Sequence, residues 1–229
     1  MDETGPNLFQ PIKPYLSAIL LACTLAFAPL SASAETGAAM IAIDRMTPGS
    51  PPAGFSFAQT GRGREGEWTV TSDKTAVTGQ AIEQTSTDRT DYRFPLAIHD
   101  GLSAANVDVE IRFKAVAGKT DQAGGVAVRL HDADNYYVAR ANALEDNVRF
   151  YRVVNGRREQ LDGANLKVTP NEWHTLALRA DGQRFTVSFD GKKLFSTIDK
   201  TFEEAGGVAL WTKSDSVTRF DQIKITVLP

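Results

Sequence analysis

The chain has 229 residues, 42% of them hydrophobic and 23% charged, with 25 Lys and Arg against 28 Asp and Glu, three histidines and one cysteine. That is the composition of an ordinary globular protein, and it excludes disordered, collagenous and coiled-coil chains. A formal net charge of -3 is not the basic footprint that a polyphosphate backbone requires, so nucleic acid is not an expected partner. One cysteine makes no internal disulfide, and His99, His131 and His174 show no zinc-ligand spacing, so no metal or cofactor is assigned.

Tyr15 to Ala28 reads YLSAILLACTLAFA, an apolar run of signal-peptide length that falls short of the roughly 20 residues of a membrane span. Ala32-Ser33-Ala34 follows as a small-x-small cleavage pattern. We expect residues 1–34 to be a signal peptide cleaved after Ala34, with no transmembrane span, and residues 35–229 to form a single periplasmic or secreted domain. Leu20-Leu21-Ala22-Cys23 offers the alternative of a lipid anchor at Cys23, at the cost of leaving the apolar stretch Thr24 to Leu30 on the mature chain. Cleavage after Ala34 removes the one cysteine, which suits an oxidising compartment.

Residues 47–66 are rich in Pro and Gly and are expected to wrap the domain as irregular backbone. Gly61-Arg-Gly63-Arg-Glu-Gly66 spells G-x-G-x-x-G, but a Pro/Gly-rich stretch expected to be loop precedes it and the strand-like run from Glu67 follows, so it has no helix N-terminus to offer a phosphate. From Trp68 onward, short alternating runs are broken by Asp100-Gly101, Asn155-Gly156, Asp162-Gly163, Asp181-Gly182 and Asp190-Gly191, pairs that tolerate the positive φ of tight hairpins. The pattern predicts a hairpin over 148–161, a three-strand meander over 173–198, and strands over 107–115, 125–131, 136–143, 208–213 and 220–227. About ten such strands without helical periodicity indicate an all-β, two-sheet antiparallel sandwich of jelly-roll type.

Candidate chemistry follows from the alternation. With Val126, Val128 and Leu130 facing the core, Ala127, Arg129 and His131 face the other way; Val208 and Leu210 likewise send Ala209, Trp211 and Lys213 outward, and Arg140 and Asn142 share one side. Aromatic, guanidinium and amide groups on one sheet face suit a sugar, whose C–H faces stack on a ring and whose hydroxyls take planar donors and acceptors. Arg129, His131, Arg140, Asn142, Trp211 and Lys213 are therefore the candidate ligand-binding residues, and a glycan or sugar derivative is the expected partner.

Acid/base candidates are fewer. Glu145-Asp146 occupies a break between two strands, where loop carboxylates reach a cleft edge. Asp108 and Glu110 share one strand face, where period 2 leaves them in solvent. Asp132, Asp134 and Asn135 form an oxygen-rich turn of the kind that holds calcium or only closes a hairpin. Neither a G-x-S-x-G elbow nor an exported cysteine is present to supply a nucleophile.

The runs Asp134 to Asn147, Tyr151-Arg-Val-Val-Asn-Gly156, Glu172-Trp-His-Thr175, Phe189-Asp-Gly-Lys-Lys-Leu-Phe195, Val208 to Val217 with Phe220-Asp221, and upstream Tyr92 to Ala97 together resemble bacterial exported proteins of the 3-keto-disaccharide hydrolase domain family, a former domain of unknown function labelled glycoside hydrolase family 16-like. The resemblance implies a concanavalin A-like lectin/glucanase sandwich, a superfamily that holds lectins, laminin-G-like adhesion modules and glycosidases. The Glu-x-Asp-x-x-Glu strand of true family 16 enzymes is absent. Three expectations result: a glycan-binding module; a keto-glycoside hydrolase in which Glu145, Asp146 or His131 takes a proton while Arg129 or Lys213 holds the enolate; and a non-enzymatic envelope adhesion module.

Overall fold

The computed structural model describes residues 37–229; the predicted leader, 1–34, lies outside them. Fifteen strands and a single 3-10 turn (Ile43–Arg45) are present among the described residues. The strands are β1 (Ala38–Met40), β2 (Phe55–Gly61), β3 (Trp68–Ser72), β4 (Gln80–Gln84), β5 (Arg93–His99), β6 (Val107–Ala117), β7 (Ala123–Asp132), β8 (Asn135–Asn142), β9 (Asn147–Val154), β10 (Arg157–Asn165), β11 (Trp173–Asp181), β12 (Arg184–Phe189), β13 (Lys192–Ile198), β14 (Gly207–Thr212) and β15 (Val217–Val227). They form two antiparallel sheets. The first runs β13-β12-β11-β6-β15-β4-β3 with β1 beside β15, and the second runs β10-β9-β8-β7-β14-β5-β2.

Period-2 patterning makes the layers. Val107, Val109, Ile111 and Phe113 of β6 alternate with solvent-side residues and meet Val126, Tyr137, Ala139, Phe150 and Leu210 of the second sheet in one core. Each buried Val, Leu, Ile or Phe among them contributes about 1.5–3 kcal/mol by leaving water. The hairpin turns follow the dipeptides: Asn155 and Gly156 both have positive φ (49° and 73°), as do Asp190 and Gly191 (47° and 74°), the condition for a two-residue turn that matches strand twist.

Three expectations are corrected. The stretch 47–66 is not irregular throughout, because Phe55–Gly61 pairs with β5 as the edge of the second sheet. At Asp181-Gly182 only the glycine has positive φ, and Asp181 still belongs to its strand. Asp162-Gly163 is not a turn but lies inside β10 beside a bulge; the glycine is needed there because a Cβ would stand 2.5 Å from the Arg149 side chain that crosses it.

The second sheet is strongly rolled. In a flat sheet β10 and β5 would be five spacings, about 24 Å, apart. Yet Arg158 of β10 lies 4.7 Å from the Phe94 ring of β5, and its backbone N–H donates to the Tyr92 hydroxyl at 2.6 Å. Thr60 of β2 likewise reaches across to Ala133 O (2.5 Å) and to Tyr136 Oη of β8 (2.7 Å). The outer face of this sheet is therefore concave, and it buries a second apolar cluster that includes Phe94, Leu96, Ala127, Tyr136, Val138, Tyr151, Ala209 and Trp211.

Candidate functional site

One end of the concave face is filled and the other is polar. At the filled end Trp211 stacks on Phe94 (centroids 5.2 Å) and donates Nε1–H to Tyr136 Oη (3.2 Å). Burial pushes the Tyr136 phenol up to about 12, so it stays neutral and serves as a fixed hydrogen-bonding post. Trp211 thus faces the predicted side but has no exposed surface; it is a packed support for the face and not an open stacking plate. Arg158 lies over Tyr151, Phe94 and Trp211 at 4.4, 4.7 and 5.9 Å from their ring centroids, a cation held on an aromatic bed.

The polar end is built on adjacent strands. Register places Arg140 opposite Gly125, which is opposite Trp211, and Asn142 opposite Ala123. Gly125 is required at this point, since a Cβ would stand 2.9 Å from the Arg140 Cβ and 2.6 Å from Ala139 O. Arg140, only 3% exposed, donates from Nη1 to Asn147 Oδ1 and from Nη2 to Glu145 Oε2 (2.8 Å) and Tyr151 Oη (3.0 Å). Its Nε–H is buried without a partner. Asn147 Nδ2 donates to the same Glu145 oxygen (3.1 Å). Lys213 Nζ bridges Asp121 Oδ1 (3.0 Å) and Glu145 Oε1 (3.8 Å), and Asn142 Nδ2 completes the ring on Asp121 (2.8 Å).

A supporting layer fixes Asp121. The Asp215 carboxylate accepts the backbone N–H groups of Lys119, Thr120 and Asp121, so the loop that carries Asp121 cannot turn. The two carboxyls of the site are shifted in opposite directions. Burial raises Asp121 above the ordinary aspartate value despite Lys213 and Asn142. For Glu145 burial acts in the same direction, but Arg140, Asn147 and Lys213 outweigh it and the net shift is downward. The Glu145 side chain is 38% exposed and that of Lys213 17%, so this pair is the part of the network that meets solvent.

Of the predicted residues, Arg140, Asn142, Lys213 and Glu145 come together, while four others lie elsewhere. Arg129 has a left-handed backbone (φ 48°) at an irregularity between Val128 and Asp132, which reverses the alternation expected for β7. Its buried guanidinium donates to Ala105 O (2.7 Å), Phe202 O (2.7 Å) and Gly182 O, and Leu130 moves to the concave cluster instead. His131 is exposed and packs on Phe202 (5.2 Å). Asp146, also left-handed (φ 48°), turns away from Glu145 to accept Val168 N–H and Lys167 Nζ, each at 3.1 Å. Trp211 occupies the filled end. Asp132 spends its carboxylate on Asp134 N–H and Asn135 Nδ2, and among the described residues no group of three or more His, Cys, Asp or Glu is arranged to hold a metal. Asp121, Asn147, Tyr151 and Arg158 were not singled out by sequence; the alternation of Val148 and Phe150 into the core was the available signal for Tyr151.

The outer face of the first sheet also carries charge. Lys114 donates to Asp73 and to Thr75 Oγ1 (2.9 Å), and Arg219 bridges Asp73 and Glu83, each at 2.9 Å. Asp108 meets Arg179 at 3.6 Å, in solvent.

A family model described as galactocerebrosidase, C-terminal lectin domain matches residues 115–228. Among solved structures the chain is similar to the carbohydrate-binding module CBM66 from Bacillus subtilis, with TM-score 0.56 and 22% identity over 73% of this chain and 94% of that one. It is also similar to the exoplasmic/lumenal domain of VIP36 in its calcium- and mannose-bound form, with TM-score 0.55 and 13% identity over 76% and 83%. A third is a protein of unknown function with a galectin-like fold from Bacillus subtilis, with TM-score 0.52 and 8% identity over 74% and 88%. The fold is that of a lectin-like β-sandwich. No curated protein matches the chain. At these identities the lectin-like sandwich establishes where a concave sheet lies and leaves its ligand to the chemistry of the site.

Proposed function

We propose that the protein is an exported glycan-binding module that holds a sugar over Glu145, Lys213 and Arg140 on the concave face of the second sheet. One observation carries the reading: a half-exposed carboxylate and an ammonium, 3.8 Å apart, sit on a buried, hydrogen-bonded base beside the rolled aromatic wall. Adjacent sugar hydroxyls both donate and accept, so a carboxylate beside an ammonium satisfies two of them at once. Because Arg140, Asn147 and Asp121 already hold the pair, binding orders little that was loose. The lectin-domain match and the sugar-related names of two fold neighbours support the same reading.

Titration calorimetry of the purified chain against a panel of neutral and acidic oligosaccharides tests it. Binding is expected for at least one class, weakened about tenfold, or about 1.4 kcal/mol, by Glu145→Gln in protein that thermal unfolding shows to be folded. Failure of every sugar to bind at millimolar concentration overturns it. Export is part of the proposal; its support is the Tyr15 to Ala28 run with Ala32-Ser33-Ala34, and the mass of the protein recovered after secretion, starting at Glu35 or not, decides it.

A second reading, cleavage of a 3-keto-glycoside as the family resemblance implies, is favoured by the same pair: Glu145 is the one predicted base that stands beside a predicted cation, Lys213. Arg129 and His131 take no part in that version. A proton NMR time course with 3-keto-glucosides, in which free sugar appears or does not, separates it from binding alone.

A further inference from the structure

The tip of the β9–β10 hairpin forms a groove of about 560 Å³ lined by Arg152, Val154, Asn155, Arg157, Arg158 and Glu159. Its three arginines differ in their partners. Arg152 is neutralised by Glu159 (3.0 Å) and Asp199 (2.9 Å). Neither Arg157 nor Arg158 has a carboxylate within ion-pair distance among the described residues. Arg158 is set further apart, because its plane rests on Tyr151, Phe94 and Trp211 and its Nη1 is buried without an acceptor. A buried donor left unpaired costs free energy that an incoming anion recovers, and the planar fork of a guanidinium matches a carboxylate or sulfate two oxygens at a time.

Arg158 is linked to the candidate site through Tyr151, whose ring carries the Arg158 guanidinium at 4.4 Å and that of Arg140 at 5.7 Å, and whose hydroxyl accepts from Arg140 Nη2 at 3.0 Å. The chain as a whole is acidic, at -3, and Glu159 stands at the groove, so the site suits a single anionic group of its ligand.

We infer that this groove is a subsite for an anionic sugar unit, whose carboxylate or sulfate pairs with Arg158 and Arg157. The inference rests on the glycan reading and specifies its ligand class. It is tested by calorimetry of the full chain with oligouronides of several sugars, their carboxyl-reduced counterparts of equal length and linkage, and sulfated neutral oligosaccharides, at low and high salt. The expected result is at least tenfold tighter binding of an oligouronide or sulfated sugar than of its neutral counterpart, diminished by salt and abolished in Arg157→Gln/Arg158→Gln. Arg158→Lys, which keeps the charge and loses the fork, is expected to retain only part of the preference, and Arg157→Gln, at an exposed position, reads the effect without disturbing packing. Equal affinity for acidic and neutral forms overturns the anionic subsite and leaves the glycan reading intact. A preference that survives the double variant overturns the assignment to these arginines, and no binding by any member of the panel overturns both readings.

Discussion

The two outer faces of this sandwich use charge differently. On the first sheet Lys114, Arg219, Asp73 and Glu83 close on one another, so that each cation has a carboxylate. On the second sheet Arg140 and Arg158 each keep a buried N–H without an acceptor, and the Glu145–Lys213 pair is left loose at 3.8 Å. A closed network is a structural device, because its members have nothing left to offer a ligand. A network with donors to spare, fixed on strands and walled by aromatic rings, is prepared for one.

The largest expected effect breaks the closed face. Asp73→Ala leaves Lys114 and Arg219 without their shared counter-ion in a buried setting, and a loss of about 3–5 kcal/mol is expected in urea unfolding, with sugar affinity unchanged in the protein that remains folded. Lys213→Met is the converse in affinity, which should fall about tenfold; Asp121, deprived of its cation, is pushed still higher, and the stability cost should stay below that of Asp73→Ala because a protonated Asp121 leaves no buried charge. Calorimetry together with thermal unfolding reads both numbers; a variant that loses stability and keeps its affinity erases the distinction between the faces.

Acid sharpens the comparison further. Burial raises Asp73, but the bonds from Lys114, Thr75 and Arg219 outweigh it and hold the carboxyl far below the ordinary 3.8. A depressed folded value stabilises above 3.8, and that stability is lost as pH falls below it. On the second sheet the two signs oppose: Glu145, lowered, loses stabilising effect on acidification, while Asp121, raised, contributes below its ordinary value and loses that contribution as pH rises. Stability is therefore expected to drop below about pH 4, with part of the drop removed in Asp73→Asn and little of it in Glu145→Gln; Asp215 and Asp199, also held low against burial by their hydrogen bonds, carry a further share. Carboxyl NMR is expected to show Asp121 titrating above its ordinary value and Glu145 below its own. The smallest effect is reserved for the solvated strand pair, where Glu110→Gln should stay within about 0.5 kcal/mol.

How much of this was legible follows from what acts locally. The meander β11-β12-β13 and the β9–β10 hairpin were readable because alternation and Asn-Gly or Asp-Gly pairs act over a few residues. The sides taken by Trp211, Arg140, Asn142 and Lys213 were readable for the same reason. Arg129 and His131 were misplaced because a left-handed residue at 129 shifts the phase of β7 by one, and no glycine or asparagine announces it. The covering of Trp211 and the arrival of Arg158 over Phe94 were not legible, because both depend on how far a seven-stranded sheet rolls. That curvature is a sum over all its strands, and no single segment of sequence spells it.

The roll also sets a clock. The hydrogen bond from Arg158 to Tyr92 joins residues 66 positions apart, and its geometry requires β10, β9, β8, β7, β14 and β5 all to be paired. A chain whose final wall depends on the last of many distant pairings pays loop closure before reward, and such topologies fold over milliseconds to seconds where local ones take microseconds. The place of the Arg158 guanidinium on the rings of Phe94, Tyr151 and Trp211 is thus a product of the closed roll and of no local segment.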